Sequence, residues 1–151
     1  MKRVLVALLF LGLPAAVPAG DGVVRKPSRF TVETTLDRLE KIVTEKGFSV
    51  VARVDHAAGA ARVGKTLAPS QVLIFGNPEV GTAIMEVAPG AALDLPIRVA
   101  AWEDSAGQVW LTYNAPSWLS RRHDVRERDE VIKRMRGALK KFTDAAVSAG
   151  E

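Results

Sequence analysis

Cysteine is absent from all 151 residues, so no disulfide can brace the fold and neither thiolate chemistry nor a Cys-ligated metal or cluster is possible. Histidine occurs only twice, at His56 and His123, and His56 has no paired His or carboxylate at metal-ligand spacing. No metal or cofactor is therefore implied. The longest apolar run, Val4 to Leu13, is shorter than the roughly 20 residues a spanning helix needs, and Pro14 and Pro18 break the chain directly after it. A one-sided charge is lacking as well. Lys and Arg total 21 against 17 Asp and Glu, and removing Lys2 and Arg3 leaves 19 against 17. A dense basic face with interleaved aromatics is the usual mark of nucleic-acid binding, and nothing here resembles it. The turn Gly76-Asn77-Pro78-Glu79-Val80-Gly81 has neither the Lys-Ser or Lys-Thr of a nucleotide loop nor the glycine spacing of a dinucleotide fingerprint.

What is present begins with an address. Lys2 and Arg3, then the apolar run, then small residues ending in Val17-Pro18-Ala19 read as a signal peptide over 1–19, with cleavage after Ala19. That pattern predicts a periplasmic or secreted protein. No Cys stands after the run, which excludes a lipoprotein anchor. Residues 20–151 then have the length of a single domain able to bury a core.

Periodicity sketches that domain. Val32, Leu36, Leu39 and Val43 recur at helical spacing between about Thr31 and Lys46, with Gly47 as the stop. Phe48 to Val54 alternates as a half-buried strand, although Val51 breaks the alternation. Asp55 can cap a short helix through Ala57 to Ala61, Gln71 to Phe75 reads as a central strand, and Pro78 opens a helix to about Val87. Leu95 to Glu103 and Gln108 to Asn114 flank Asp104-Ser105-Ala106-Gly107 as a hairpin. A last helix over 126–147 carries Val131, Ile132, Met135, Leu139, Phe142 and Ala146 on its apolar face. The order predicts an α+β fold, a mixed sheet of about five strands under helices in a two-layer sandwich, with parallel pairing where a helix crosses over.

Val54-Asp55-His56-Ala57-Ala58, Leu73-Ile74-Phe75-Gly76-Asn77-Pro78, Leu93-Asp94-Leu95-Pro96 and Tyr113-Asn114 succeed one another in an order and spacing that resembles the bacterial family called domain of unknown function 302. The resemblance covers roughly Phe30 to His123. It implies a compact α/β domain that pairs as a homodimer, with no established reaction, and it marks His56, Gly76, Asn77, Pro78, Leu95, Pro96 and Asn114 as recurrent positions.

The same residues have readings of their own. An imidazole at His56, after a strand and at a helix start, can donate to an anion, shuttle a proton or simply pack. Asn77 can cap its helix with Pro78 in the first turn, or the free N–H groups there can hold a small anion while Gly76 admits a close backbone approach. Ser117, Ser120, His123 and Asp124 are neighbours in sequence, which does not make a triad, and Glu103 and Asp104 have the ordinary role of turn residues, so no catalytic set is assigned. Trp102, Trp110 and Tyr113 crowd the hairpin as packing or dimer contacts, a ligand platform being the alternative. The cations from Arg121 to Lys141 alternate with acids, as on a solvated, ion-paired helix; membrane-surface contact is the alternative.

These readings combine into an exported, non-catalytic, homodimeric domain that binds a small polar or anionic ligand or a protein partner through His56, Gly76, Asn77, Asn114 and His123. The rival is a metal-dependent or redox accessory enzyme using His56 and His123. The first expects His56 and Asn77 to face one hollow; the second expects His56 and His123 to converge.

Overall fold

The computed structural model describes residues 22–125 and 128–149. The expected signal peptide over 1–19 and Arg126, the expected start of the last helix, lie outside the described residues.

The chain opens with β1 (Val23–Ser28) and passes into α1 (Val32–Glu45). The Thr31 hydroxyl accepts the Thr34 N–H at 3.1 Å and so caps the helix start. The stripe Val32, Leu36, Leu39, Val43 is buried, and Gly47 at φ 78° takes the left-handed conformation that ends the helix. Strands β2 (Ser49–Asp55) and β3 (Ser70–Gly76) are separated by α2 (His56–Arg62), which Asp55 caps by accepting the Ala58 N–H at 2.8 Å. After β3 come α3 (Pro78–Met85), a 3-10 turn at Pro89–Leu93, and the hairpin β4 (Ile97–Glu103) and β5 (Val109–Asn114). Asp104 ties the hairpin turn by accepting from Trp110 Nε1 at 2.8 Å and from the Gln108 and Ala106 N–H groups at 2.9 Å. These bonds, the indole first, hold its carboxyl below the usual range.

Two helices complete the chain, α4 (Pro116–His123), which the periodicity did not predict, and α5 (Asp129–Val147). Residues 116–123 bury only Pro116 and Leu119 and have no side-chain cap, so they give no helical stripe to read.

The strand order is β1-β5-β4-β3-β2, and all four pairings are antiparallel. The class is α+β, as expected, but the expected parallel pairing does not form. The reason is topological. Helix α1 does connect two strands of the same direction, yet β1 and β2 are the two edges of the sheet, with three strands between them. The β2 register slips between Val50 and Ala52, a bulge that explains why Val51 breaks the alternation and stands 63% exposed.

Leu73, Phe75, Val99, Ala101, Leu111 and Tyr113 make the inner face of the sheet and are buried beneath α1 and α5. At the fully buried Leu, Ile and Phe positions this burial contributes on the order of 2 kcal/mol each. Val72, Ile74, Ala100, Trp102 and Trp110 alternate with them onto the outer face and are half-buried. The hairpin aromatics thus divide: Trp102 and Trp110 are cross-strand partners outside, while Tyr113 joins the core.

Candidate functional site

The registers give the sheet two ends. Ser49 pairs with Gly76 and Phe75 with Ile97, while Asn114 pairs with Val23, so these residues share one end. Asp55 pairs with Gln71 at the other. His56 comes directly after Asp55 and is exposed. Six residue steps of β2 at about 3.3 Å each put it roughly 20 Å from the Gly76 end. The expected convergence of His56 and Asn77 is therefore absent, because antiparallel pairing of β2 with β3 sends the two strand exits in opposite directions.

At the Gly76 end, Asn77 acts as a cap. Its Oδ1 accepts the N–H of Glu79 at 2.9 Å and of Val80 at 3.4 Å, and its carbonyl accepts Gly81 N–H at 3.0 Å. Pro78 has no N–H to offer. Every first-turn donor of α3 is thus engaged within the helix start, which leaves none for an anion. Gly76 is small for a packing reason: a Cβ there would stand 3.2 Å from the Pro96 Cβ.

His123 ends α4, and its Nε2 meets Asp94 Oδ2 at 2.6 Å, with Arg122 Nη1 at 3.4 Å from Asp94 Oδ1. His123 and Asp94 are each nearly nine-tenths buried in side chain, so the pair pins α4 to the segment after the 3-10 turn. Asn114, at the end of β5, is exposed. The two histidines lie at opposite ends of the sheet, so they do not form the metal pair of the rival reading. Among the described residues no group of three or more His, Asp or Glu is arranged to hold a metal ion.

The Gly76 end instead opens into a hollow that no local motif announces. It has a volume of about 600 Å³ and lies between α3 and α5, with the Leu95-Pro96-Ile97 segment and Phe48 also lining it. Val80 and Met85 come from α3, and Val131, Met135, Ala138 and Phe142 from α5. Phe142 meets Phe48 edge-on at 5.5 Å between ring centres, and Phe48 meets the buried Phe75 in the same way at 6.1 Å. This aromatic row joins the hollow to the core. Of the residues expected to bind a ligand, Gly76 and Asn77 line the hollow, while His56, Asn114 and His123 do not. Among the described residues, polar side chains reach it from Ser49, Asn77, Glu79, Thr82 and Arg134. At the far end Arg128 Nε donates to the Ala83 carbonyl at 3.0 Å, tying the start of α5 to α3.

Helix α5 is anchored to β1 by Lys26, whose ammonium donates to Thr143 Oγ1 at 2.6 Å, to Asp144 Oδ1 at 2.5 Å and to the Lys140 carbonyl at 3.2 Å. Burial lowers the Lys26 pKa by more than Asp144 raises it. Asp144 shows the opposite balance: partial burial pushes its carboxyl up, but the bonds and charges of Lys140 and Lys26 together hold it below the usual range.

Comparison with known proteins agrees with this fold. Residues 24–142 match the family described as "Domain of unknown function DUF302". A solved structure, an uncharacterized conserved DUF302 protein from Bacillus stearothermophilus, superposes with a TM-score of 0.67 at 16% identity, covering 85% of this chain and 97% of that one. The "Fluoride-specific ion channel FluC 1" of Brucella suis biovar 1 is 45% identical over 112 residues, which is 74% of this chain but 44% of that protein. The protein of the same name in Brucella abortus biovar 1 is also 45% identical over 112 residues, here 42% of its length. The chain thus spans less than half the length of these curated relatives. By the extent of the family match, this chain belongs to the DUF302 family.

Proposed function

We propose that this chain is a non-catalytic binding domain that takes an apolar molecule into the hollow between α3 and α5. The observation that supports it is the hollow itself. Its volume of about 600 Å³ falls within the range of small-molecule sites, and its walls are apolar side chains with a few polar groups at the rim. The ligand is accordingly apolar in its bulk, rather than the small polar molecule that the motifs suggest. The test is titration with the neutral solvatochromic dye Nile red. Wild-type protein should bind and shift its emission, and Ala138→Trp, which fills the hollow, should weaken binding at least about tenfold with an unchanged unfolding midpoint. Failure of wild-type protein to bind the dye counts against the reading.

Export to the periplasm or beyond belongs to the same proposal and is supported by the pattern over residues 1–19. The intact mass of protein recovered from the cell envelope should begin at Gly20; a full-length mass refutes export with cleavage. Homodimerisation is supported by the half-buried outer face around Trp102 and Trp110. Trp110→Glu should lower the mass measured by light scattering from dimer to monomer.

The Brucella relatives favour a second reading, in which the domain works beside a membrane channel for fluoride. Deleting it should then sensitise the host strain to added fluoride. Unaltered sensitivity would dismiss this reading and leave the first intact.

A further inference from the structure

If the hollow takes an apolar molecule, as proposed above, its rim also bears on the charge of that molecule's head; this step rests on that reading. The lip formed by α5 carries Arg134, which lines the hollow and whose one hydrogen bond among the described residues is a 3.4 Å contact to the Glu130 carbonyl. Glu130 itself faces Lys133 at 3.6 Å, and Asp144 is taken by Lys140 and Lys26. Lys141 lies two turns, about 10 Å, beyond Arg134 on the same side of the helix, outside the lining of the hollow itself. No ion pair engages either cation among the described residues, nor Arg136 between them, whereas Lys133 and Lys140 are paired. Opposite them, Glu79 at the start of α3 also reaches the rim and is likewise without an ion pair among the described residues.

We infer that the hollow binds an anionic single-chain amphiphile, with its hydrocarbon between α3 and α5 and its head against Arg134, Lys141 adding positive charge further along the same side of α5. A volume of about 600 Å³ holds about 20 water-sized groups at roughly 30 Å³ each, which suits one acyl chain. Charge selects the lip: a carboxylate or similar head is drawn to the α5 side and repelled by Glu79. The engaged N–H groups of the Asn77 turn leave the head to side chains alone, which makes the selectivity testable by substitution.

The experiment is displacement of Nile red by three twelve-carbon probes below their critical micelle concentrations: dodecanoate, neutral dodecyl maltoside and dodecyltrimethylammonium. Dodecanoate should bind at least about tenfold tighter than either of the others. The double variant Arg134→Ala, Lys141→Ala should abolish that preference, read as the ratio of dodecanoate to dodecyl maltoside affinity within the same variant, and Glu79→Gln should strengthen dodecanoate binding two- to threefold. Equal affinity for the three probes, or a double variant that keeps the preference, overturns the anionic assignment and spares the hollow as an apolar site. Absence of dye binding by wild-type protein sinks the hollow itself. Sedimentation with phosphatidylglycerol vesicles separates a membrane from a free ligand: protein that pellets with them yet binds no monomeric dodecanoate also overturns the proposal.

Discussion

Removing either partner of the Lys26–Asp144 pair should have unequal effects. Replacing Lys26 with Met leaves every remaining polar group a partner: Asp144 keeps Lys140 at 2.7 Å, and the Thr143 hydroxyl still donates to the Leu139 carbonyl at 2.7 Å. The methionine occupies the space of the aliphatic stem, and the desolvation that lowers the Lys26 pKa disappears. Replacing Asp144 with Ala instead leaves an ammonium whose side chain is 15% exposed, with two neutral oxygens and no anion. Breaking a fully buried pair costs about 3–5 kcal/mol and an exposed one about 0.2–1. Asp144 is 45% exposed, so solvent screening puts Asp144→Ala at about 1–2 kcal/mol, while Lys26→Met should lie within about 0.5 kcal/mol of wild type.

Urea unfolding at neutral pH with unchanged slope measures both variants, and at this length each kcal/mol moves the thermal midpoint by about 2–4 °C. The pH dependence comes from the directions of the shifts. Because the folded pKa of Asp144 is depressed, its contribution is present above the unfolded value and lost as pH falls through the folded one, so Asp144→Ala should flatten the acid limb below about pH 4. Lys26 has a depressed pKa too, but as a cation it weakens the fold while protonated. That penalty fades as pH climbs through its folded value toward about 10.4, and Lys26→Met should remove this alkaline gain. A Lys26→Met cost as large as that of Asp144→Ala would refute this ordering, because attraction would then outweigh desolvation at the ammonium.

Asn77→Ala should cost about 1 kcal/mol in urea melts through loss of the cap on Glu79 and Val80, and Asn77→Asp should recover most of it; an equal loss in both variants would show that the side chain matters for something other than capping. Phe142→Ala should cost about 3 kcal/mol, the low end for such truncations, because the ring already borders a hollow, whereas Phe75→Ala, at 0% exposure, should approach about 5. Equal costs would mean that no hollow exists beside Phe142. Asp94→Ala should cost about 1–2 kcal/mol and speed amide exchange in α4, and unchanged exchange would show that α4 is docked without the His123 contact.

Helix α1 was legible because a single narrow stripe faces a single partner surface. Its four predicted core positions are all buried, and its stop falls where Gly47 needs the left-handed region. Strand β3 was legible as an apolar run. The hairpin register was not, because both sheet faces carry apolar side chains: the core side of β4 has Val99 and Ala101, while the outer side has Ala100 and the much larger Trp102. Strand order is a property of contacts far apart in sequence: α1 joins two strands of the same direction with three strands between them, whereas α3 joins β3 and β4, which pair antiparallel.

The hollow was harder to foresee, since its walls come from Phe48, α3, Leu95 to Ile97 and α5, which no short motif connects. One signal was available. The apolar stripe of α5 runs from Val131 and Ile132 through Met135 and Ala138 to Phe142, wider than one sheet-facing surface requires, and the surplus is what lines the hollow. The polar motif at Asn77 misled for the converse reason. A helix start counts as an anion site only if donors remain after the chain's own acceptors are served. Proline at the first position removes one donor, and Asn before it supplies an acceptor for the next two; the fourth position bonds the Asn carbonyl as any helix does. The sequence Asn77-Pro78 therefore satisfies its own backbone, and the binding proposed for this end of the sheet rests on the apolar surface beside it.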